Sequence, residues 1–247
     1  MTKSFICNLR SLNATKTLSH VIFVTTDDTT SRDLSEFAPE VGGVFTKMYQ
    51  QESTDVSYGT ADYFRLTVER LKVQQQLLEM GVHVVVIEAD ATWFGDAERV
   101  ETLLRSELPR HHIVSADDTG GRLISAGFLA ISSSNRTRKF FTSYVNVYTA
   151  KLEAKVRQEV RRQSNLGDVG EQHTMTAMLR STDTDIDVFW LDTCRFARGQ
   201  WYSDSKYRKK CESPWVLQNN WIIGTSAKIK RSKQWKHWYL EDGKCTH

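Results

Sequence analysis

The feature that most constrains this chain is a change of period at residue 81. From about Thr60 to Met80 apolar residues recur at helical spacing, with Ala61, Phe64, Val68, Leu71 and Leu78 on one face. Gly81 then ends the helix, because glycine tolerates the left-handed backbone that closes a helix C-terminus. The run from Val82 to Ile87 follows at once and is nearly all valine, as suits a buried strand. A helix, one glycine and a continuous apolar strand form an αβ step, which we expect in a parallel sheet. The strand ends in Glu88-Ala89-Asp90, two carboxylates at i and i+2.

The same alternation runs along the chain. Val21 to Thr26 reads as a buried strand opening at Asp27-Asp28. A short helix from Ser31 to Phe37 follows, stopped by Pro39, then a second strand from Val44 to Met48. Asp96 to Leu104 reads as a helix, Ile113 to Ala116 as a strand ending at Asp117-Asp118, and Ala126 to Ile131 as another strand. A long helix spans Arg136 to Gln163, with Phe141, Val145, Tyr148, Leu152 and Val156 on its apolar face. Asn165 to Gly170 reads as a loop, Glu171 to Arg180 as a helix and Val188 to Leu191 as a strand. From Trp201 onwards Trp, Tyr, Lys and Arg mix without clear periodicity. No repeat or linker divides the 247 residues, so we expect one domain, 1–247, of α/β class.

Charge narrows the function classes. A net charge of +3 is too mild to mark nucleic acid as the main partner. No apolar run is long enough to span a membrane, and Met1 to Ser11 lacks the apolar core of a signal peptide. The chain is therefore expected to be cytosolic, or to be a piece or isoform without its targeting segment. The four cysteines, Cys7, Cys194, Cys211 and Cys245, permit disulfides in three connectivities and match no zinc spacing. With the sequons at Asn13 and Asn135 they lean towards the secretory route.

Three strands end in acidic pairs: Asp27/Asp28, Glu88/Asp90 and Asp117/Asp118. In an open α/β sheet ligands bind beyond the carboxyl ends of the strands, and carboxylates there suit a hard divalent cation. Turn chemistry is the alternative reading of each pair. No HExxH, GxSxG, GxGxxG or P-loop is present, and the histidines read as surface or structural groups.

The run Leu77-Leu78-Glu79-Met80-Gly81 through Glu88-Ala89-Asp90 to Trp93-Phe94 resembles the DxD segment of the nucleotide-diphospho-sugar transferase family. This GT-A-type glycosyltransferase family is related to plant-type xylosyl-, arabinosyl- and galactosyltransferases. Ser125-Ala126-Gly127-Phe128, Glu171-Gln172, Leu191-Asp192 to Gly199, and Asn219-Asn220-Trp221 to Lys228 are similar to its later blocks, in order. The resemblance implies a Rossmann-like, mostly parallel mixed sheet flanked by helices. It implies a metal-dependent, retaining transferase that moves a sugar from a UDP-sugar donor to a glycan or glycoprotein acceptor.

Roles carry over by position. Glu88, Asp90 and Gln218 would hold Mn2+ or Mg2+ against the diphosphate. Thr25, Thr26 and Asp27 would lie near the base and ribose, and Arg70 would reach the phosphates. Gly127 would admit the sugar, and Glu171 and Gln172 would face it as the catalytic pair. Lys228 would close over the diphosphate, within a C-terminal aromatic and basic segment, 200–247, that closes the site. The resemblance also implies the Golgi lumen. Glu88 and Glu171 stand where the family has Asp, and Gln218 where it often has His. A weak or inactive nucleotide- or sugar-binding member of the same fold is therefore the alternative. An RNA-binding reading of the basic tail is a third, to be judged by salt dependence.

Overall fold

The computed structural model describes residues 1–46, 58–162, 170–181 and 184–246. The helices are α1 (Thr2–Ser11), α2 (Thr15–Leu18), α3 (Asp28–Phe37), α4 (Ala61–Glu79), α5 (Ala97–Glu107), α6 (Asn135–Arg162), α7 (Glu171–Leu179), α8 (Gln200–Ser203), α9 (Ser205–Lys210) and α10 (Thr225–Gln234). The strands are β1 (Ile22–Thr25), β2 (Gly43–Thr46), β3 (Val84–Ile87), β4 (Thr92–Trp93), β5 (Ile113–Asp117), β6 (Ile124–Ile131), β7 (Val188–Trp190), β8 (Phe196–Ala197), β9 (Val216–Leu217), β10 (Leu240–Glu241) and β11 (Lys244–Cys245). This is the expected mixed α/β architecture. Of the sequence expectations, the end of the second strand (Lys47 and Met48), the end of the long helix (Gln163) and the loop from Asn165 to residue 169 lie outside the described residues. The described residues form two compact units: 1–46, 88–103 and 193–246 in the first, and 58–87 with 104–192 in the second.

In the second unit four strands order as β3-β6-β5-β7. β6 runs antiparallel to both neighbours, while β5 and β7 are parallel. The parallel neighbour expected for β3 is thus corrected, since Val84 pairs with Ile131 and Ile87 with Phe128 in antiparallel register. An apolar run encodes burial but says nothing about the direction of the strand beside it. The helical faces read from the sequence are correct: Phe64, Val68, Leu71 and Leu78 of α4 and Phe141, Tyr144, Val145, Tyr148 and Leu152 of α6 join one core with the sheet. Gly81, at φ 83°, closes α4, with the Val82 amide donating to Leu77 O at 3.0 Å.

The first unit contains three small sheets, β1-β2, β10-β11 and β4-β9-β8. Its N-terminal helix α1 was not read from the sequence. Phe5, Ile6, Cys7 and Leu9 on α1 are buried. Asn8 fixes α1 to β4 by two bonds: its Nδ2 donates to Trp93 O at 3.0 Å, and Trp93 N donates to its Oδ1 at 2.7 Å. The tail that lacked periodicity in the sequence folds as α8, α9, β9 and α10. Disulfides join Cys7 to Cys245 and Cys194 to Cys211, which resolves the open connectivity.

Candidate functional site

Asp90 stands in the turn after β3, where the Ala91 amide donates to Glu88 O at 3.0 Å. β4 begins two residues later and runs antiparallel to β9, with Thr92 opposite Leu217. Continued by one step, that register sets Gln218 opposite Ala91, so two of the three expected metal ligands come to one end of a small sheet. Gln218 is 2% exposed. Glu88 is half-buried in the same turn.

Lys228 arrives from α10. Its Nζ donates to Asp90 Oδ2 at 2.5 Å, and the carboxylate side chain is only 3% exposed. The second oxygen, Oδ1, is buried without a hydrogen-bond partner. Asn219 braces the lysine: its Nδ2 donates to Lys228 O at 3.0 Å and to Ser232 Oγ at 3.0 Å. Arg231, one turn beyond Lys228 on α10, donates to Asn219 Oδ1 at 2.7 Å and to Asn220 O at 2.6 Å. Burial lowers its pKa against the opposing fields of Tyr202 and Asp90. The site is thus one buried carboxylate facing a basic helix face. A small cleft here is lined by Asn8, Asp90, Thr92, Asn219, Ser232 and His237.

A second cluster forms wholly in the second unit. Arg70, on α4, donates from Nη2 to Glu171 Oε1 at 2.9 Å. Glu171 opens α7, where a carboxylate also suits the positive end of the helix dipole. Gln172 Nε2 donates to Ile124 O at 3.0 Å and to Asp118 Oδ2 at 3.3 Å. Tyr144 Oη donates to Glu171 O at 3.1 Å. Burial, then the charge of Glu171, pushes the Tyr144 hydroxyl well above its usual range, so it stays a donor. Arg70, Gln74, Ala126, Tyr144, Glu171 and Gln172 line a cavity of about 270 Å³ floored by Leu71, Leu129 and Met175. Gly127 lies buried in β6 beside Ala126.

The other acidic pairs turn out to be structural. Asp27 caps α3, accepting from Thr30 N at 2.8 Å, and that bond lowers its pKa. Burial would raise Asp117, but four backbone amides, of Arg122, Thr119, Leu123 and Gly120, overcome it and hold the carboxyl low. Turn chemistry accounts for both. Thr25 is buried and donates to Asp27 O at 3.2 Å, and Thr26 is half-buried after β1. Sequence reading missed Asn219, Arg231 and Gln74. Helical spacing from Lys228 and from Arg70 would have flagged the last two.

The chain matches the sequence profile of the nucleotide-diphospho-sugar transferases over residues 16–231. It belongs to that family. Among relatives, it is 22% identical over 204 residues to the UDP-D-xylose:L-fucose alpha-1,3-D-xylosyltransferase of Arabidopsis thaliana, covering 76% of this chain and 53% of that protein. It is 22% identical over 196 residues to the UDP-galactose:fucoside alpha-3-galactosyltransferase of Dictyostelium discoideum, covering 75% of this chain and 30% of that protein. The chain thus spans about half, or less, of the length of these relatives.

Solved structures support the GT-A-type fold of this family member. The galactosyltransferase LgtC, crystallised with donor and acceptor sugar analogues, superposes with a TM-score of 0.51 at 11% identity, over 97% of this chain and 93% of that one. A glycosyltransferase involved in glycosylating the major capsid of PBCV-1 gives 0.50 at 10% identity, over 87% and 98%. The first unit's Asp90 turn and C-terminal block and the second unit's Glu171-Gln172 helix start all fall inside the family match.

Proposed function

We propose that this family member transfers a sugar from a UDP-sugar to a hydroxyl of a glycoprotein or polysaccharide, with retention at the anomeric carbon. The observation that carries the reading is the buried Asp90 carboxylate, with Lys228 on one oxygen and no partner on the other. In the reaction the bond from the anomeric carbon to the β-phosphate oxygen breaks, and its electron pair leaves with UDP. The acceptor oxygen forms the new bond and gives up its proton. Retention is supported by the relatives' printed names, which specify α products, because UDP-xylose and UDP-galactose are themselves α-linked.

The residues present fit a divalent cation, Mn2+ or Mg2+. Asp90 Oδ1 is the buried atom such an ion would satisfy, and Gln218 and Glu88 lie on neighbouring positions. Among the described residues no group of three His, Cys, Asp or Glu forms a closed metal cage. That suits a hard cation bound through one or two carboxylates, with substrate phosphates and water completing its shell. When bound, the ion would act as a Lewis acid on the leaving diphosphate. Lys228, within the segment 200–246, supplies the second positive charge, and Arg231 holds the backbone that carries it. We assign Glu171, Gln172 and Gly127 to the sugar end. Arg70 is held by Glu171 in this state and would be available to the donor on exchanging that pair.

The Golgi lumen is the proposed compartment. Two disulfides and two exposed sequons, Asn13 and Asn135, support an oxidising, secretory setting. No helix among the described residues is long and apolar enough to cross a membrane.

The test is calorimetric binding of UDP with and without Mn2+, on the wild type and on Asp90→Ala, followed by transfer assays with UDP-xylose and UDP-galactose. Metal-dependent binding lost in Asp90→Ala, with transfer reduced about 100-fold or more, is expected. Binding indifferent to Mn2+ and to Asp90 would establish a binding member without the metal chemistry. No UDP binding at all overturns the donor reading.

A further inference from the structure

We infer that Gln74 is a specificity-determining residue whose side-chain carbonyl reads a hydroxyl of the transferred sugar. The inference rests on the transferase reading and names the part of the second unit that holds the sugar ring. Gln74 follows Arg70 by one turn of α4, so both face the same cavity. Its side chain is buried, at 7% exposure, and Oε1 has no hydrogen-bond partner. Other polar groups on this wall already have partners. Glu171 Oε1 accepts from Arg70, Gln172 Nε2 donates to Ile124 O and Asp118, and Tyr144 Oη donates to Glu171 O. A buried carbonyl oxygen left without a donor is costly, and native interiors rarely keep one without a reason.

The chemistry of that oxygen selects its ligand. An amide carbonyl only accepts, so it needs an O–H or N–H donor and repels phosphate oxygens, which carry no proton to give. The cavity's one acid and one base neutralise each other at 2.9 Å, so the wall offers no net charge to an anion. Leu71, Leu129 and Met175 supply an apolar floor for the C–H face of a ring. A volume of about 270 Å³ lies below the usual span for drug-sized ligands, roughly 300–1,000 Å³. A single neutral monosaccharide moiety meets all four conditions, and a diphosphate meets none of the first three.

Gln74→Met keeps the length and volume of the side chain and deletes the acceptor. The full chain, wild type and variant, is titrated with UDP, UDP-galactose and UDP-xylose in the presence of Mn2+. Expected is an unchanged Kd for UDP and a loss of about tenfold for at least one of the two UDP-sugars in the variant. Equal affinity of both proteins for both UDP-sugars overturns the inference while leaving the transferase reading intact. Failure of the wild type to bind UDP overturns that reading first, and this inference with it. Should Gln74→Met not fold, monodeoxy analogues of the better donor are titrated against the wild type and Gln74→Glu, which retains an acceptor. One deoxy donor weakened about tenfold supports the assignment, and a series with no weakened member overturns it.

Discussion

The two units are stabilised differently. The second contains no cysteine, and a contiguous apolar core joins α4, α6 and α7 to the four-stranded sheet. The first holds all four cysteines in two disulfides. It adds the Asn8 bonds to Trp93 and a forked Arg10–Glu40 pair at 2.6 and 3.0 Å. Arg195, Arg198, Arg208 and Arg231 stack on Trp or Tyr rings there, between 4.4 and 5.5 Å from the centroids. Nonspecific apolar packing suffices where the chain builds a sheet between helices. Directional and covalent links appear in the unit that carries a buried carboxylate beside a basic helix, where burying such charge is itself unfavourable.

The sharpest way to break this contrast is to empty the second unit's core. Phe141 is fully buried, and Phe141→Ala should cost about 3–5 kcal/mol, read by denaturant unfolding and by loss of amide protection in β5 and β6. A cost under about 1 kcal/mol would show that apolar packing does not carry this unit. For the first unit the matching experiment is the double variant Cys7→Ser, Cys245→Ser. It releases a closure spanning 238 residues and should cost about 2–5 kcal/mol, read at the amides of α1 and β4. Intact stability in that variant would assign the work to Asn8 and the stacked arginines instead.

The same division decided what could be read from the sequence. Phe64, Val68 and Leu71 announced α4, and Phe141, Val145 and Tyr148 announced α6, because a continuous apolar face imposes a period of 3.6. Gly81 and the valine run placed β3, yet not its antiparallel partner. In the first unit α8 to α10 were invisible, since stacking of Arg208 on Trp201 and Trp235 leaves no period in the residue pattern. The Asp90 turn stood out as two carboxylates after an apolar strand, while Asp27 and Asp117 looked alike in sequence and proved to be a cap and a turn. Pairs distant in sequence, Asp90 with Lys228 and Arg70 with Glu171, became contacts only through the fold.

Acid should separate the units by pH window, with the larger effect in the first. His237 packs edge-on against Phe94, and its Nδ1 lies 2.9 Å from Tyr202 Oη. Burial lowers its pKa to about 4, so the unfolded chain takes up the proton first. Stability is then unaffected above about pH 6.5, the ordinary value, and declines as pH falls to 4, by about 2 kcal/mol once partial exposure is discounted. His237→Gln should flatten that slope. In the second unit burial would raise Asp187, but hydrogen bonds from His111, at 2.5 Å, and His112 overcome it and hold the carboxyl at about 2. Its contribution is present above about pH 4 and is lost as pH falls from 4 to 2. Since the side chain is 47% exposed, solvent screening reduces the effect to about 1 kcal/mol or less. Melting curves from pH 7 to pH 2 on the wild type, His237→Gln and Asp187→Asn test both windows. An Asp187→Asn protein that still steepens between pH 4 and 2 like the wild type would move that acid sensitivity to another carboxylate and leave the clasp between β5 and β7 without a role in stability.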